Sequence, residues 1–169
     1  MYISYRQIER GDLGILRDWR NQYHIRSRTR EHRLLNMINQ VDWFESMSRN
    51  RNNEMYLMSV DFLPVGVCGL CYIDWVNRNA EVSLYIGNDN MRRQGIGTKV
   101  LKFLEKKAFD EFNLHRLWAE VYSNNVASRI LFEKCGYTNE GKLREHVFKS
   151  GKYRDSFIYG LLKEDINGD

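Results

Sequence analysis

The stretch NMRRQGIGTKVLKFLEKKAF, residues 90–109, runs two arginines, a glutamine and a Gly-Ile-Gly directly into a helical pattern. After Gly97, apolar Val100, Leu101, Leu104, Ala108 and Phe112 recur on one helix face, and Lys99, Lys102, Lys106 and Asp110 fill a wet one. Glycine tolerates positive φ and close backbone approach. At a helix start the aligned peptide units leave partial positive charge. Such a turn suits a pyrophosphate, and Arg92 and Arg93 could add charge-assisted hydrogen bonds. A plain helix start with a solvated arginine pair reads equally well. The segment is not a P-loop, because the G-x-x-x-x-G-K-S/T spacing is missing. Nor is it a dinucleotide fingerprint, because Val100 stands where the third glycine belongs and no βαβ unit opens the chain.

Upstream of this bend, AEVSLYIG (residues 80–87) alternates cleanly: Ala80, Val82, Leu84 and Ile86 on one face, Glu81, Ser83 and Tyr85 on the other. Further back, EMYLMSVDF and PVGVCGLCYIDW read as strands on either side of a tight connection near Pro64, the only proline. YISYRQI reads as a first strand. DLGILRDWRNQY reads as a helix with Leu13, Leu16 and either Trp19 or Arg20 on its apolar face, and residues 34–49 as a second. Downstream, LHRLWAEVY is a strand. NNVASRILFEKCGY is a helix with Asn124 or Asn125 as N-cap and Gly136 just past its end. The remainder is a hairpin turning at Ser150–Gly151. The order β-α-α-β-β-β-α-β-α-β-β predicts an α/β fold with an α+β-like mixed sheet, antiparallel early and with one parallel crossover.

Bulk properties narrow the function. The 169 residues, without repeat, linker or low-complexity tract, are expected to form a single domain spanning 1–169. No apolar run approaches the roughly 20 residues of a membrane helix, so no membrane association is expected. The N-terminal MYISYRQIER lacks an apolar signal core, so the expected location is cytoplasmic. Cys68, Cys71 and Cys135 do not make a disulfide framework. Cys68 and Cys71 spell C-x-x-C within a strand, where residues three apart face opposite ways. With the four histidines scattered, no metal is expected. The net charge of +4 fits an anionic ligand better than it argues for nucleic acid.

Arg92-Arg93-Gln94-Gly95-Ile96-Gly97 resembles the R/Q-x-x-G-x-G motif of the GNAT N-acetyltransferases, where that motif cradles the pyrophosphate of acetyl-coenzyme A. AEVSLYIG resembles the family's fourth strand, and NNVASRILFEKCGY its N-x-x-S/A … E-K-x-G-F/Y helix. EGKLREHVFKSGKYRDSFIYGLL resembles the closing hairpin of the branch with ribosomal-protein, polyamine and nucleotide-sugar N-acetyltransferases. The likeness covers nearly the whole chain and is weakest over residues 22–55.

The resemblance implies a GNAT fold with a splayed central strand pair and acetyl-CoA as co-substrate. It implies coenzyme binding by the main chain of Leu84, Tyr85 and Ile86, by the bend Arg92, Arg93, Gln94, Gly95, Ile96, Gly97 and Thr98, and by Asn125, Ser128 and Lys134. Asn125, Ser128 and Lys134 also read as an N-cap, a cap and a solvated lysine. Glu81 stands where relatives place a glutamate base. Relatives often carry a tyrosine acid four residues after the Ser128 position. Here that residue is Phe132, which has no proton to give. Tyr122 or Tyr85 could serve instead, or water.

The acceptor is expected to be a small-molecule amine bound by Trp19, Arg20, Asn21 and Arg26. The arginine-rich RDWRNQYHIRSRTREHR, residues 17–33, reads either as a phosphate-holding group or as a solvated loop. Its opening WRN … IR resembles enzymes acting on nucleotide-linked amino sugars, which makes an amino sugar nucleotide the first expectation. A protein N-terminus or a polyamine is the alternative, although a polyamine would favour an acidic pocket. Outside enzymes, a non-catalytic acyl-CoA-binding domain or a basic nucleic-acid binder would fit the charge. A monomer or homodimer is expected.

Overall fold

Residues 1–166 are described by a computed structural model. One sheet contains β1 (Ile3–Gln7), β2 (Glu54–Val60), β3 (Leu63–Asp74), β4 (Asn79–Ile86), β5 (Arg116–Tyr122), β6 (Thr138–Lys149) and β7 (Lys152–Leu162), in the order β1-β2-β3-β4-β5-β7-β6. The helices are α1 (Leu13–Asn21), α2 (Tyr23–Arg26), α3 (Met37–Arg49), α4 (Ile96–Lys106), α5 (Val126–Lys134) and α6 (Lys163–Ile166). Neighbouring strands are antiparallel except β4 and β5, which are parallel. This is the mixed α/β sheet and element order that the sequence predicts, with the four-residue α2 and α6 added.

The sheet separates two cores. Along β2, Tyr56, Met58 and Val60 point into a core shared with Ile96, Val100, Leu101 and Leu104 of α4. The alternate Met55 and Leu57 point into a second core with Leu13, Leu16 and Trp19 of α1 and Met47 of α3. A strand covered on both faces needs apolar residues at both parities, which is why MYLM is a continuous run. The two-residue period also separates Cys68, in the first core, from Cys71, packed against the second. Both are free thiols.

Two details depart from the sequence reading. The β2–β3 connection lies near Pro64 as expected, but its turn is made by Asp61 and Phe62, which the sequence reading includes in the strand EMYLMSVDF, with φ of 46° and 70°. Asp61 is held there by Tyr2: its N–H donates to the Tyr2 carbonyl and its Oδ1 accepts from the Tyr2 N–H, both at 2.9 Å. Pro64 lies inside β3 opposite Ser59, next to a register shift at Met58/Ser59, where a missing N–H is tolerated. The long helix does not run regularly to Phe112. Lys107–Glu111 form a π-turn, in which the Phe112 N–H donates to the Lys107 carbonyl at 3.0 Å, and the wider turn keeps both Ala108 and Phe109 buried.

The feature that creates the site is the β4–β5 pair. The strands are in register only at Asn79–Arg116, Ala80–Leu117 and Glu81–Trp118. Beyond Glu81, β4 continues along β3 as far as Ile86 opposite Gly66, while β5 follows β7 to Tyr122 opposite Ser156. Each strand is held by its outer antiparallel neighbour, so the two inner edges part. At the far end of the molecule the β6–β7 hairpin turns through Ser150 and Gly151, both at positive φ, as expected. Its tip leans back over the loop after α2: the Tyr23 hydroxyl donates to Ser150 Oγ at 2.7 Å, and Lys149 Nζ donates to the Arg30 carbonyl at 3.2 Å. Among the described residues, no helix is long and apolar enough to cross a membrane.

Candidate active site

The parted edges open on a cavity of about 820 Å³, lined by Glu81, Ser83, Leu84 and Tyr85 of β4, by β5 from Ala119, and by Asn125, Ser128 and Phe132. In the bend that follows β4, Arg93 and Gly95 have φ of 60° and 76°, with Gln94 between them at negative φ. Alternating φ of this kind turns successive N–H groups toward one concavity. Gly95 is the N-cap of α4 in the left-handed region, and no side chain caps the helix start. Gly97 has a different duty: a Cβ there would fall 2.8 Å from Leu131 Cδ2, so its hydrogen lets α4 lie against α5. Arg92 is tied to Asp89 at 3.4 Å, and the Gln94 amide donates to the Asn90 carbonyl at 2.8 Å. The bend thus leaves the first N–H groups of α4 without a side-chain cap, with Arg92 and Gln94 braced on neighbouring residues.

At the other wall, Asn125 caps α5, its Oδ1 accepting from the Ser128 N–H at 3.4 Å. Asn125 and Ser128 face the cavity; Lys134, in the last turn of α5, does not line it. Phe132 is buried, against Tyr137 at 4.9 Å and Tyr159 at 5.9 Å between ring centroids. Tyr122 lines the cavity, and burial followed by the charge of Glu120 pushes its pKa up to about 12. Tyr85, the other candidate, is also pushed up by burial, well above the ordinary tyrosine range.

Glu81 is the last residue of β4 still paired with β5, and it is only 6% exposed. Its carboxylate is gripped by Arg30, whose Nη1 and Nη2 donate to Oε2 and Oε1 at 2.8 and 2.7 Å. The same Nη2 donates to Glu120 Oε2 at 2.9 Å. Burial pushes the Glu120 carboxyl up, but hydrogen bonds from Ser156 and Arg30 outweigh it and hold the group below the usual range. His146 Nδ1 lies 2.9 Å from Glu120 Oε1 and 3.0 Å from Ser156 Oγ. Sequence reasoning missed Arg30, Glu120 and His146 as members of one cluster. The available signal was Glu120 itself, a carboxylate inside the apolar strand RLWAEVY.

Of the four residues expected at the acceptor site, Arg20 lines the cavity, its guanidinium carbon 5.8 Å from the Tyr85 ring centroid. The other three are not among its lining residues. Trp19 is core, with its ring so close to Gly87 that a Cβ there would fall 2.1 Å from Trp19 Cδ2. Asn21 pins Leu35, donating to its carbonyl at 2.8 Å and accepting from its N–H at 2.7 Å. Arg26 donates to the His32 carbonyl at 3.0 Å. Within the arginine-rich stretch, Arg20 and Arg28 line the cavity, while three other arginines are in ion pairs. Arg17 pairs with Asp18, Arg30 with the two glutamates and Arg33 with Glu31. Among the described residues no group of three or more His, Cys, Asp or Glu side chains could hold a metal ion.

This architecture has known counterparts. A family model described as "Acetyltransferase (GNAT) domain" matches residues 3–138. The putative ribosomal N-acetyltransferase YdaF of Bacillus subtilis is 33% identical over 104 residues, 62% of this chain and 56% of that protein. The spermidine N(1)-acetyltransferase of Vibrio cholerae is 26% identical over 168 residues, covering 98% of this chain and 96% of its own. The crystal structure of spermidine N-acetyltransferase from Vibrio cholerae in complex with CoA and spermine superposes with a TM-score of 0.90 over 96% of each chain, at 22% identity. With the family model spanning most of the sequence and the split sheet and glycine bend in place, the chain belongs to the GNAT family of acetyl-CoA-dependent N-acetyltransferases.

Proposed function

We propose that the protein moves an acetyl group from acetyl-CoA to a primary amine of a small molecule by direct attack, with Glu81 as the base. The observation that carries this reading is a buried carboxylate at the point where β4 and β5 part, on the floor of the cavity between them. The donor supplies the activated acetyl group. Its diphosphate is assigned to the N–H groups of the bend from Arg92 to Thr98, and its arm to the β4 edge at Leu84, Tyr85 and Ile86 and to Asn125 and Ser128. Lys134 is left without a role. Binding both reactants in one cleft supplies the proximity that such a transfer needs. Glu81 takes the proton the ammonium must lose. Tyr122 is assigned as the acid that protonates the leaving thiolate, in place of the residue lost at Phe132. Its buried hydroxyl keeps its proton until a pH of about 12.

For the acceptor, a polyamine-like cation is favoured over the amino sugar nucleotide. The relative from Vibrio cholerae is a spermidine N(1)-acetyltransferase, and the cluster at the floor of this cleft is a carboxylate pair, Glu81 and Glu120, suited to an ammonium group. A second reading keeps the nucleotide-linked sugar. Arg20 and Arg28 line the cavity, and their buried Nε atoms have no hydrogen-bond partner among the described residues, which fits an anionic group on the acceptor. Release of the coenzyme thiol across spermidine, spermine, amino sugar nucleotides and peptides with free N-termini separates the two. Turnover of polyamines and not of the nucleotides supports the first; the reverse pattern replaces it with the second. No thiol release with any amine, despite acetyl-CoA binding, would reduce the protein to an acyl-CoA-binding module.

A further inference from the structure

Arg30 has an unusual position for a residue of a surface loop. Its guanidinium grips both oxygens of Glu81 at 2.7 and 2.8 Å and one oxygen of Glu120 at 2.9 Å. Its flat face lies 5.7 Å from the Tyr72 ring centroid, and its carbonyl is held by Lys149. The arginine side chain is 49% exposed, whereas the carboxylates beneath it are 8% and 9% exposed. It also lines two spaces at once: the large cavity in the split, and a second cavity of about 330 Å³ beneath the hairpin tip, bounded by His32, His146 and Phe148. Glu120 and Tyr122 line both as well. Arg30, Glu120 and Tyr122 are thus common to the linings of both cavities, with the Arg30 guanidinium bridging the two carboxylates at that boundary.

Two facing carboxylates taken out of water need a cation between them, and removal of the partner leaves a costly uncompensated charge. Arg30 is that cation. With both of its oxygens taken by the guanidinium fork, Glu81 has Arg30 standing where an incoming amine would have to meet it. For Glu81 to act as the base, the fork must open, and the group that opens it must bring compensating charge to Glu120. This argument rests on the reading of Glu81 as the base.

We propose that Arg30 is the acceptor gate: a half-exposed guanidinium, at the boundary the two cavities share, that covers the buried carboxylates and is displaced by the acceptor's ammonium, which reaches Glu81 and Glu120 from the hairpin side. The gate makes Arg30 a positioning and specificity residue. It favours acceptors that arrive charged, because a neutral amine would leave the carboxylate pair without a counter-ion.

The test compares the wild type with R30A, R30K and R30A/E81Q, using methylguanidinium and spermidine as probes. Millimolar methylguanidinium should raise the melting temperature of R30A by several degrees, leave that of the wild type in place and lose its effect in R30A/E81Q. An R30A protein that folds only with methylguanidinium present supports the gate equally. With acetyl-CoA saturating, R30A should lower KM for spermidine about tenfold, or ~1.4 kcal/mol. Its KM for acetyl-CoA should stay near the wild-type value, with the KM of R30K for spermidine between those of the two proteins. Melting of R30A that ignores methylguanidinium overturns the gate. So does a loss of kcat without a fall in KM, which would make Arg30 a fixed clamp on Glu81. If no variant turns over spermidine, the polyamine reading fails, and the melting comparison alone decides the gate.

Discussion

The two sides of the central cleft are built by different means. The side assigned to the donor is main chain: two strand edges that part after Glu81, an uncapped helix start at Gly95, and an asparagine cap at Asn125. The side assigned to the acceptor is made of long charged side chains: Arg30, Glu120 and His146 are tied together across loop, strand and hairpin, and Arg33 is paired with Glu31 within the loop. Main-chain groups cannot change partners without changing the fold, whereas ion pairs can exchange a partner for a ligand. The difference explains how one scaffold can hold a constant donor and leave the acceptor open to variation. It also says which side should respond to charge-changing substitutions.

Glu81 belongs to both sides, so its removal has the largest expected effect. Glu81→Gln keeps the shape and leaves the donor's main-chain contacts intact. The kcat should fall by about 10²–10⁴, the usual worth of a positioned base, while the calorimetric affinity for acetyl-CoA stays unchanged. If acetyl-CoA affinity fell in step with kcat, the separation between the two sides would be lost. Tyr122→Phe comes next, with an expected loss of about a hundredfold in kcat if the hydroxyl is the acid. Because burial pushes that hydroxyl up to about 12, the wild-type rate should show no alkaline fall from Tyr122 up to pH 10. A fall centred well below that would assign the acid elsewhere.

Gly95→Ala tests the donor side alone. Its φ of 76° lies where a Cβ costs roughly 1–2 kcal/mol. The expected result is a melting point lower by a few degrees and an acetyl-CoA KM raised about tenfold, or ~1.4 kcal/mol, with KM for the acceptor unchanged. A change in acceptor KM of similar size would show that the bend also shapes the other wall.

The same contrast governs how much the sequence could disclose. Elements made by local rules were legible: the alternation of AEVSLYIG, the glycines before an amphipathic helix, the Asn125 cap, the Ser150–Gly151 turn. Where a local rule had a competitor, the reading slipped by a few residues. Pro64 drew the turn toward itself although Asp61 and Phe62 adopt the positive φ. The arginine-rich loop was opaque for another reason. Whether Arg30 meets a phosphate or Glu81, fifty-one positions away, depends on tertiary placement that no periodicity records. Trp19 and Asn21 are expected as acceptor contacts because they belong to the WRN stretch that resembles enzymes of nucleotide-linked amino sugars, yet the first fills a core and the second pins Leu35.

The smallest effect lies within the acceptor loop. Glu31 accepts from Arg33 Nη2 at 2.8 Å, from Arg33 Nε at 3.0 Å, and from the backbone N–H groups of His32 and Arg33 at 3.0 Å. The Arg33 side-chain bonds come first among the causes that hold its pKa at about 2, against 4.5 for the free group. A carboxylate lowered in the folded state contributes stability above its unfolded pKa and loses it as pH falls through the folded one, here between about 4.5 and about 2. Carbon-13 titration of the Glu31 carboxyl should therefore show a midpoint near 2 that rises in Arg33→Ala. It should not return fully to 4.5, because the two backbone donors remain. The pair is open to water, so the melting point at neutral pH should barely move. If Arg33→Ala instead loosened the acceptor side as a whole, raising spermidine KM and exposing Glu81 to hydrogen-bonding solvent, the loop would be one cooperative unit and Arg30 would not open independently of it.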